Sequence, residues 1–432
     1  MAKITFVGAG STIFAKNVLG DCMLTPALRE SEIALFDIDP VRLQDSYNML
    51  SNINANSGGY SKITQYHNRK EALKGADYVI NAIQVGGYDP CTITDFEIPQ
   101  KYGLQQTIGD TLGIGGIFRG LRTIPVILDI LKDMEEVCPE AWFLNYTNPM
   151  SMIMSAIFQA SPIKAIGLCH SVQDCIPRLF KDLEMDATDV RWKIAGINHQ
   201  AWLLEVSKDN VDLYPEIKKR ALEKQKTKHG DMVRYEMMKQ FGYYITESSE
   251  HGAEYLPYFI KSKYPEQIER WNIPLDEYLR RCVKQISEWE TMKGDLVDNK
   301  NLEHKRSHEY ASYILEAIET DTPYRIHGNV LNTGLITNLP KDAVVEVPCL
   351  VDRTGINPCY VGDLPQQLAA LNRTNINVHL LTAEAALTKK RDLIYMAAML
   401  DPHTASELSI DEIRDMCDDL IEAHGDWLPE YF

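Results

Sequence analysis

Cys169, His170 and His199 are the residues of this sequence best equipped for chemistry. A thiolate and an imidazole are ligands for a divalent cation, and a second imidazole beside them is a proton carrier near neutral pH. Softness alone points such a pair toward zinc. Cys169-His170-Ser171 follows the apolar run Ala165-Ile166-Gly167-Leu168, which reads as the end of a buried strand, and Gly196-Ile197-Asn198-His199 lies downstream. Ligands of open α/β sheets gather at the carboxyl ends of strands. The same residues would also suit a buried cysteine and two unremarkable histidines, so their surroundings decide.

Those surroundings begin at the N-terminus. Residues 3–7 form a short apolar strand, followed by Gly8-Ala9-Gly10-Ser11-Thr12 and a helix-like stretch from Ile13 to Leu24. Glycines here let the backbone turn tightly against a pyrophosphate, and the helix N-terminus offers amide donors. Ile13 stands where the common fingerprint has its third glycine. Glu32 to Phe36 reads as a second strand ending in Asp37, an acid placed to bind adenosine ribose hydroxyls and to favour NAD over NADP. Asp77 to Ala82, which contains Asn81, runs into Gln84-Val85-Gly86-Gly87, a loop expected to lie over a dinucleotide. The predicted NAD contacts are therefore Gly8, Gly10, Ser11, Thr12, Asp37, Asn81 and Gln84. A glycine-rich loop at Gly109 to Gly116, a helix over Leu121–Val137 and strands at Trp142–Leu144 and Lys164–Leu168 continue the alternation. Strand–helix repetition predicts an α/β fold with a doubly wound, Rossmann-like parallel sheet.

After His199 the alternation stops. Long helical patterns (215–226, 275–293, 303–319) are broken by strand-like pieces at 323–331 and 344–351, which suggests a second, α+β substrate domain. The expected division is residues 1–196 for NAD and residues 197–432 for substrate and oligomerisation, with the cleft between them. A formal charge of −17 argues against a nucleic-acid partner. No apolar run reaches the ~18 residues of a membrane span. Nine cysteines without framework spacing, and an N-terminus without a secretory pattern, lead us to expect a cytoplasmic protein.

Lactate and malate dehydrogenases share such an opening, but they need an arginine-rich carboxylate pocket and a His–Asp pair. The sequence more closely resembles the NAD- and manganese-dependent glycoside hydrolases of family four. The resemblance rests on Gly8-Ala9-Gly10-Ser11, Asn145-Tyr146-Thr147-Asn148-Pro149, Cys169-His170-Ser171-Val172 and Gly196-Ile197-Asn198-His199. It extends to the run Asn332 to Pro340 and to Val344-Val345-Glu346-Val347-Pro348. These motifs span residues 8 to about 350 in the family's order.

The resemblance implies Mn²⁺ held by Cys169 and His199. It implies transient oxidation of the sugar at C3 by NAD, removal of the C2 proton and elimination of the aglycone from C1, then the reverse steps with water. His170 is the expected acid and Tyr255 the expected base, with Tyr258 as fallback. Asn148 and Asp110 are expected at the sugar, and Arg353 is expected to reach the cleft. The Cys-His-Ser-Val form departs from the phosphoglycosidase pattern and is similar to the α-galactosidases of the family that act on melibiose and raffinose. An α-glucosidase or α-galacturonidase of the same family, and a plain NAD-dependent dehydrogenase, are the alternatives. A homodimer or homotetramer is expected by analogy.

Overall fold

The computed structural model describes residues 1–432. The first half alternates strictly: β1 (Lys3–Val7), α1 (Thr12–Leu24), β2 (Glu32–Phe36), α2 (Pro40–Asn56), β3 (Lys62–Tyr66), α3 (Arg69–Leu73) and β4 (Tyr78–Asn81). It continues through α4 (Ile93–Lys101), α5 (Gly113–Val137), β5 (Trp142–Asn145), α6 (Met150–Ala160), β6 (Lys164–Gly167) and α7 (Ser171–Asp182). The strands pair in parallel in the order β3-β2-β1-β4-β5-β6, the arrangement of a dinucleotide-binding sheet.

The second half opens with an antiparallel hairpin, β7 (Arg191–Ile197) and β8 (Gln200–Lys208), with β9 (Val211–Asp212) at its far end. Helices α8 (Tyr214–Lys224) and α9 (Met232–Phe241), β10 (Tyr244–Ile245) and α10 (Ser249–Glu254) follow. Next come α11 (Glu266–Arg270), α12 (Glu277–Val297), α13 (Tyr310–Thr320) and the strands β11 (Tyr324–Leu331), β12 (Val344–Asp352) and β13 (Gly355–Pro358). Helices α14 (Gln366–Thr388), α15 (Arg391–Leu400), α16 (Pro402–Glu407) and α17 (Ile410–His424) close the chain.

The two halves share one sheet. The β11–β12 hairpin is inserted between β6 and β7, so the order continues β6-β11-β12-β7-β8-β10 in antiparallel sense. The position between residues 196 and 197 lies inside β7, whose hairpin partner β8 stands on the other side. One apolar core runs from Ile4 and Phe6 of β1 through Ile166 of β6 to Val345 and Val347 of β12, beneath α1, α2 and α13. A second core covers the opposite face with α5, α6, α14, α15 and α17. Alternating side chains of the central strands feed both cores, so the sheet must be covered on both faces.

This insertion explains the site. In register, Gly167 of β6 faces Asn329 of β11, Asn329 faces Glu346 of β12, and Glu346 faces Gly196 of β7. One row across the sheet therefore brings the ends of β6 and β7 to the same level. Two residues past Gly167 stands Cys169, and three past Gly196 stands His199.

Candidate active site

The glycine loop has the geometry of a dinucleotide cradle. Gly8 has φ of +90°, and a Cβ there would stand 2.6 Å from the Ala82 carbonyl oxygen, so only glycine fits. The N–H groups of Gly8 and Ala9 both donate to Phe36 O at 3.0 Å, which ties the loop to the end of β2. Asp37 accepts the Gly10 N–H at 2.6 Å and the Asp39 N–H at 2.8 Å. Ser11 donates to Gly8 O at 2.7 Å, so it does not cap α1. The first turn of α1, starting at Thr12, carries no acidic residue and leaves its amides free for an anion. Asn81 is fully buried and donates to Asn145 Oδ1 at 2.9 Å and Thr147 Oγ1 at 3.0 Å, locking the β4 and β5 ends together. Gln84 is exposed and reaches Thr92 at 3.4 Å.

Beyond the two ends of the row, Cys169, His199 and Glu247 offer Sγ, an imidazole nitrogen and a carboxylate oxygen within 4.8 Å of one another. His199 occupies the β7–β8 turn with φ of +61°. Glu247 follows β10, where Thr246 N–H donates to Ala201 O at 2.8 Å, and it has φ of +63°. Two left-handed non-glycine residues in one cluster are strain of about 1 kcal/mol or more each, held where side chains must converge. Burial would raise the Glu247 carboxyl, but His199, His251 and Arg234 hold it below its ordinary value, so it is a carboxylate. Burial raises the Cys169 thiol, and the Glu247 charge adds to this; a cation reverses both effects. The cluster fits a divalent ion: an imidazole, a thiol and an ionised carboxylate, with His199 Nδ1 buried and unpartnered.

Around this cluster, further polar atoms lack partners: both amide atoms of Asn198, His251 Nε2 and both carboxyl oxygens of Glu346. Burial, reinforced by Cys169, raises Glu346 well above the ordinary carboxyl range. So many orphaned groups at one sheet edge mark a place built for a polyhydroxylated ligand. Tyr255, at the end of α10, is buried, its ring centroid is 6.4 Å from that of His199, and its hydroxyl donates to Asn198 O at 3.2 Å. Burial and then the charges of Asp110, Cys169 and Glu247 raise its phenol well above the ordinary value. Tyr258 is exposed and stacks on Phe241 at 6.2 Å, away from the cluster.

Asp110 Oδ1 lies 3.6 Å from His251 Nε2. Burial would raise it, yet His251, Arg119 and His199 hold it far below the usual range. Its loop is fixed by Glu254, which accepts the N–H groups of Thr107 at 2.6 Å and of Ile108 and Gly109 at 3.1 Å. Asn148 is half-buried where β5 passes into α6.

His170 stands at the mouth, its side chain half-exposed, with Nε2 2.7 Å from Glu309 Oε2. That hydrogen bond outweighs burial and raises His170 to about 9, so it carries a proton at neutral pH. Glu309 begins α13, at the end of a strap that Asp21 of α1 anchors through His304 at 2.7 Å and the Ser307 N–H at 2.7 Å.

Arg353 does not belong to this assembly. It occupies the exposed β12–β13 turn, where its N–H donates to Asp321 at 3.2 Å. Seven residues of extended strand separate it from Glu346, roughly 23 Å at 3.3 Å per residue. Glu247, His251, Glu309 and Glu346 enter the site without having been read as functional; Val344 to Pro348 was noticed as a motif, with no role attached to Glu346.

The fold and site define an enzyme of the dinucleotide-binding type, with a cation-binding cluster placed beside a protonated histidine. Residues 3–185 match the family 4 glycosyl hydrolases, and residues 194–404 match the C-terminal domain of the same family. The chain belongs to glycosyl hydrolase family 4. It is 66% identical over 431 residues to an α-galactosidase of Bacillus subtilis, covering all of both chains. An α-galactosidase of Rhizobium meliloti is 37% identical over 452 residues, covering 99% of this chain and 89% of the relative. The same fold recurs in a 6-phospho-α-glucosidase from gut microorganisms solved with NAD and Mn²⁺, with a TM-score of 0.80 at 22% identity and all of both chains covered.

Proposed function

We propose that this protein is an NAD- and Mn²⁺-dependent α-galactosidase that cleaves melibiose- and raffinose-type α-galactosides. The observation that carries the reading is the 66% identity, over the whole chain, to a protein that is an α-galactosidase. Gly8, Gly10, Ser11, Thr12, Asp37, Asn81 and Gln84 would hold NAD, and Cys169 and His199, joined by Glu247, would hold the ion. Bound there, NAD supplies a reversible hydride acceptor and the ion supplies Lewis acidity toward adjacent sugar oxygens.

The chain's own residues do the rest. His170, protonated and steered by Glu309, donates a proton to the glycosidic oxygen as the C1–O bond breaks. Tyr255 takes the proton from C2; as a phenol raised first by burial and then by its acidic neighbours Asp110, Cys169 and Glu247, it needs positive charge between Cys169 and His199 to ionise. Asn148, Asp110 and the unpartnered Asn198 amide bind ring hydroxyls and orient the sugar. The Cys-His-Ser-Val sequence and nine free cysteines support a galactoside substrate and a reducing, cytoplasmic setting. The chain assembles as a homodimer or homotetramer. Residues 1–196 serve NAD, and residues 197–432 serve substrate and assembly.

The test is hydrolysis of p-nitrophenyl α-galactoside by chelated, NAD-stripped protein, with NAD⁺ and Mn²⁺ restored singly and together. Nitrophenolate released only with both, without accumulation of NADH, is the expected result. Stoichiometric NADH without nitrophenolate would instead make the protein a dehydrogenase.

A further inference from the structure

Helix α7 has two unlike faces. Val172, Ile176, Leu179 and Phe180 pack into an apolar core with β7 and β8. Ser171, Asp174, Arg178 and Lys181 recur at helical spacing on the opposite face and line a cavity of about 510 Å³. His170 and Glu247 also line that cavity, so it shares residues with the reaction centre. From Ser171 to Lys181 the polar stripe runs roughly 15 Å along the helix, room for more than one pyranose ring.

The lining states what fits. Only one of its 14 residues is apolar, which argues against an aryl or alkyl occupant. Four Asp or Glu carboxylates are matched by four Lys or Arg cations, and the protonated His170 by its partner Glu309 just outside the lining, so the cavity has no excess charge with which to select a phosphate or a uronate. Arg178 Nη2 donates to Asp174 Oδ2 at 2.6 Å, an adjacent donor–acceptor pair that suits vicinal hydroxyls. At the head of the stripe, Ser171 Oγ is buried and has no hydrogen-bond partner. A closed network would leave none.

We propose that this cavity is the subsite for the leaving saccharide: it takes a neutral mono- or disaccharide attached through the bond that His170 protonates. The inference rests on the α-galactosidase reading and specifies its substrate as an oligosaccharide. Asp174 and Arg178 determine specificity without touching the reacting atoms.

Steady-state kinetics of the NAD- and Mn²⁺-loaded enzyme with raffinose and with p-nitrophenyl α-galactoside test it. Arg178→Ala and Asp174→Asn should each raise KM for raffinose about tenfold, the worth of one charge-assisted hydrogen bond, and change the nitrophenyl substrate less than twofold. Equal changes for both substrates, or no change for either, overturn the subsite. If the wild type cleaves no α-galactoside, the functional reading fails, and calorimetric titration with sucrose decides the subsite separately. Binding by the wild type that weakens at least fivefold in Arg178→Ala upholds it, and absence of binding by the wild type, or binding that weakens less than fivefold in the variant, overturns it.

Discussion

His170 shows how a single contact changes what a residue can do. An imidazole at the mouth of a cleft is ordinarily half-neutral near pH 6.5. With Glu309 at 2.7 Å it holds its proton to about 9 and keeps one orientation. A proton donor matters in proportion to how poorly the departing oxygen leaves unaided. His170→Ala should therefore lower kcat on melibiose about 10²- to 10⁴-fold and on p-nitrophenyl α-galactoside less than tenfold, because nitrophenolate needs no proton. Glu309→Gln should shift kcat in the same order of substrates by a smaller factor, with KM little changed. Steady-state kinetics on both substrates check this, and equal losses on the two would remove His170 from the role of acid. The pattern also separates His170 from Arg178, whose loss is read in KM.

Among the elements, five of the first six strands were legible; β3, Lys-Ile-Thr-Gln-Tyr with no buried residue, carried no apolar run to read. Each of the five is a run of four or five residues, mostly apolar, that ends in glycine, asparagine or a short polar turn before the next helix. That the sheet is parallel follows from the strand–helix alternation, whereas the order in which its strands pair is seen only in the structure. The β11–β12 hairpin was visible as two strands but not as a wedge between β6 and β7, because nothing local in residues 324–352 states which edge they join. Glu309 stayed hidden for the same reason, since its partner lies 139 residues away and only the Asp21-anchored strap brings them together. Arg353 was misread because a basic residue beside a motif gives no hint of which end of a strand it occupies.

Helix α12 makes its own prediction. Only Val297 of its 21 residues is buried, whereas Val283 and Ile286 are about half exposed and share a face. The homodimer or homotetramer proposed above would cover that stripe with a second copy. Ile286→Glu should lower the mass seen by light scattering on a sizing column by half or more, with unchanged circular dichroism. An unchanged mass would place the subunit contact elsewhere.

Across the whole molecule, the single sheet buries titratable groups of opposite tendency. Burial holds His327 of β11 and His379 of α14 near 3, so both stay neutral in the fold, whereas it raises Glu254 to about 7. The signs oppose. For a histidine whose folded pKa is depressed, only the unfolded chain takes up a proton below pH 6.5, so stability is lost as pH falls from there toward 3. For a carboxyl whose folded pKa is raised, the folded chain holds the extra proton between pH 4.5 and 7, so stability is lost as pH rises through that range. The wild-type profile alone therefore mixes both effects. Comparison with His379→Gln isolates one, since Glu254, Glu346 and His327 contribute alike to both proteins. Relative to that variant, the wild type should lose about 2 kcal/mol between pH 7.5 and 5, as its unfolded state gains a proton that the fold refuses. Urea midpoints of the two proteins at matched pH values measure the difference. If the two curves stay parallel across that window, His379 accepts its proton inside the fold, and the α14 core is wetter than its packing indicates.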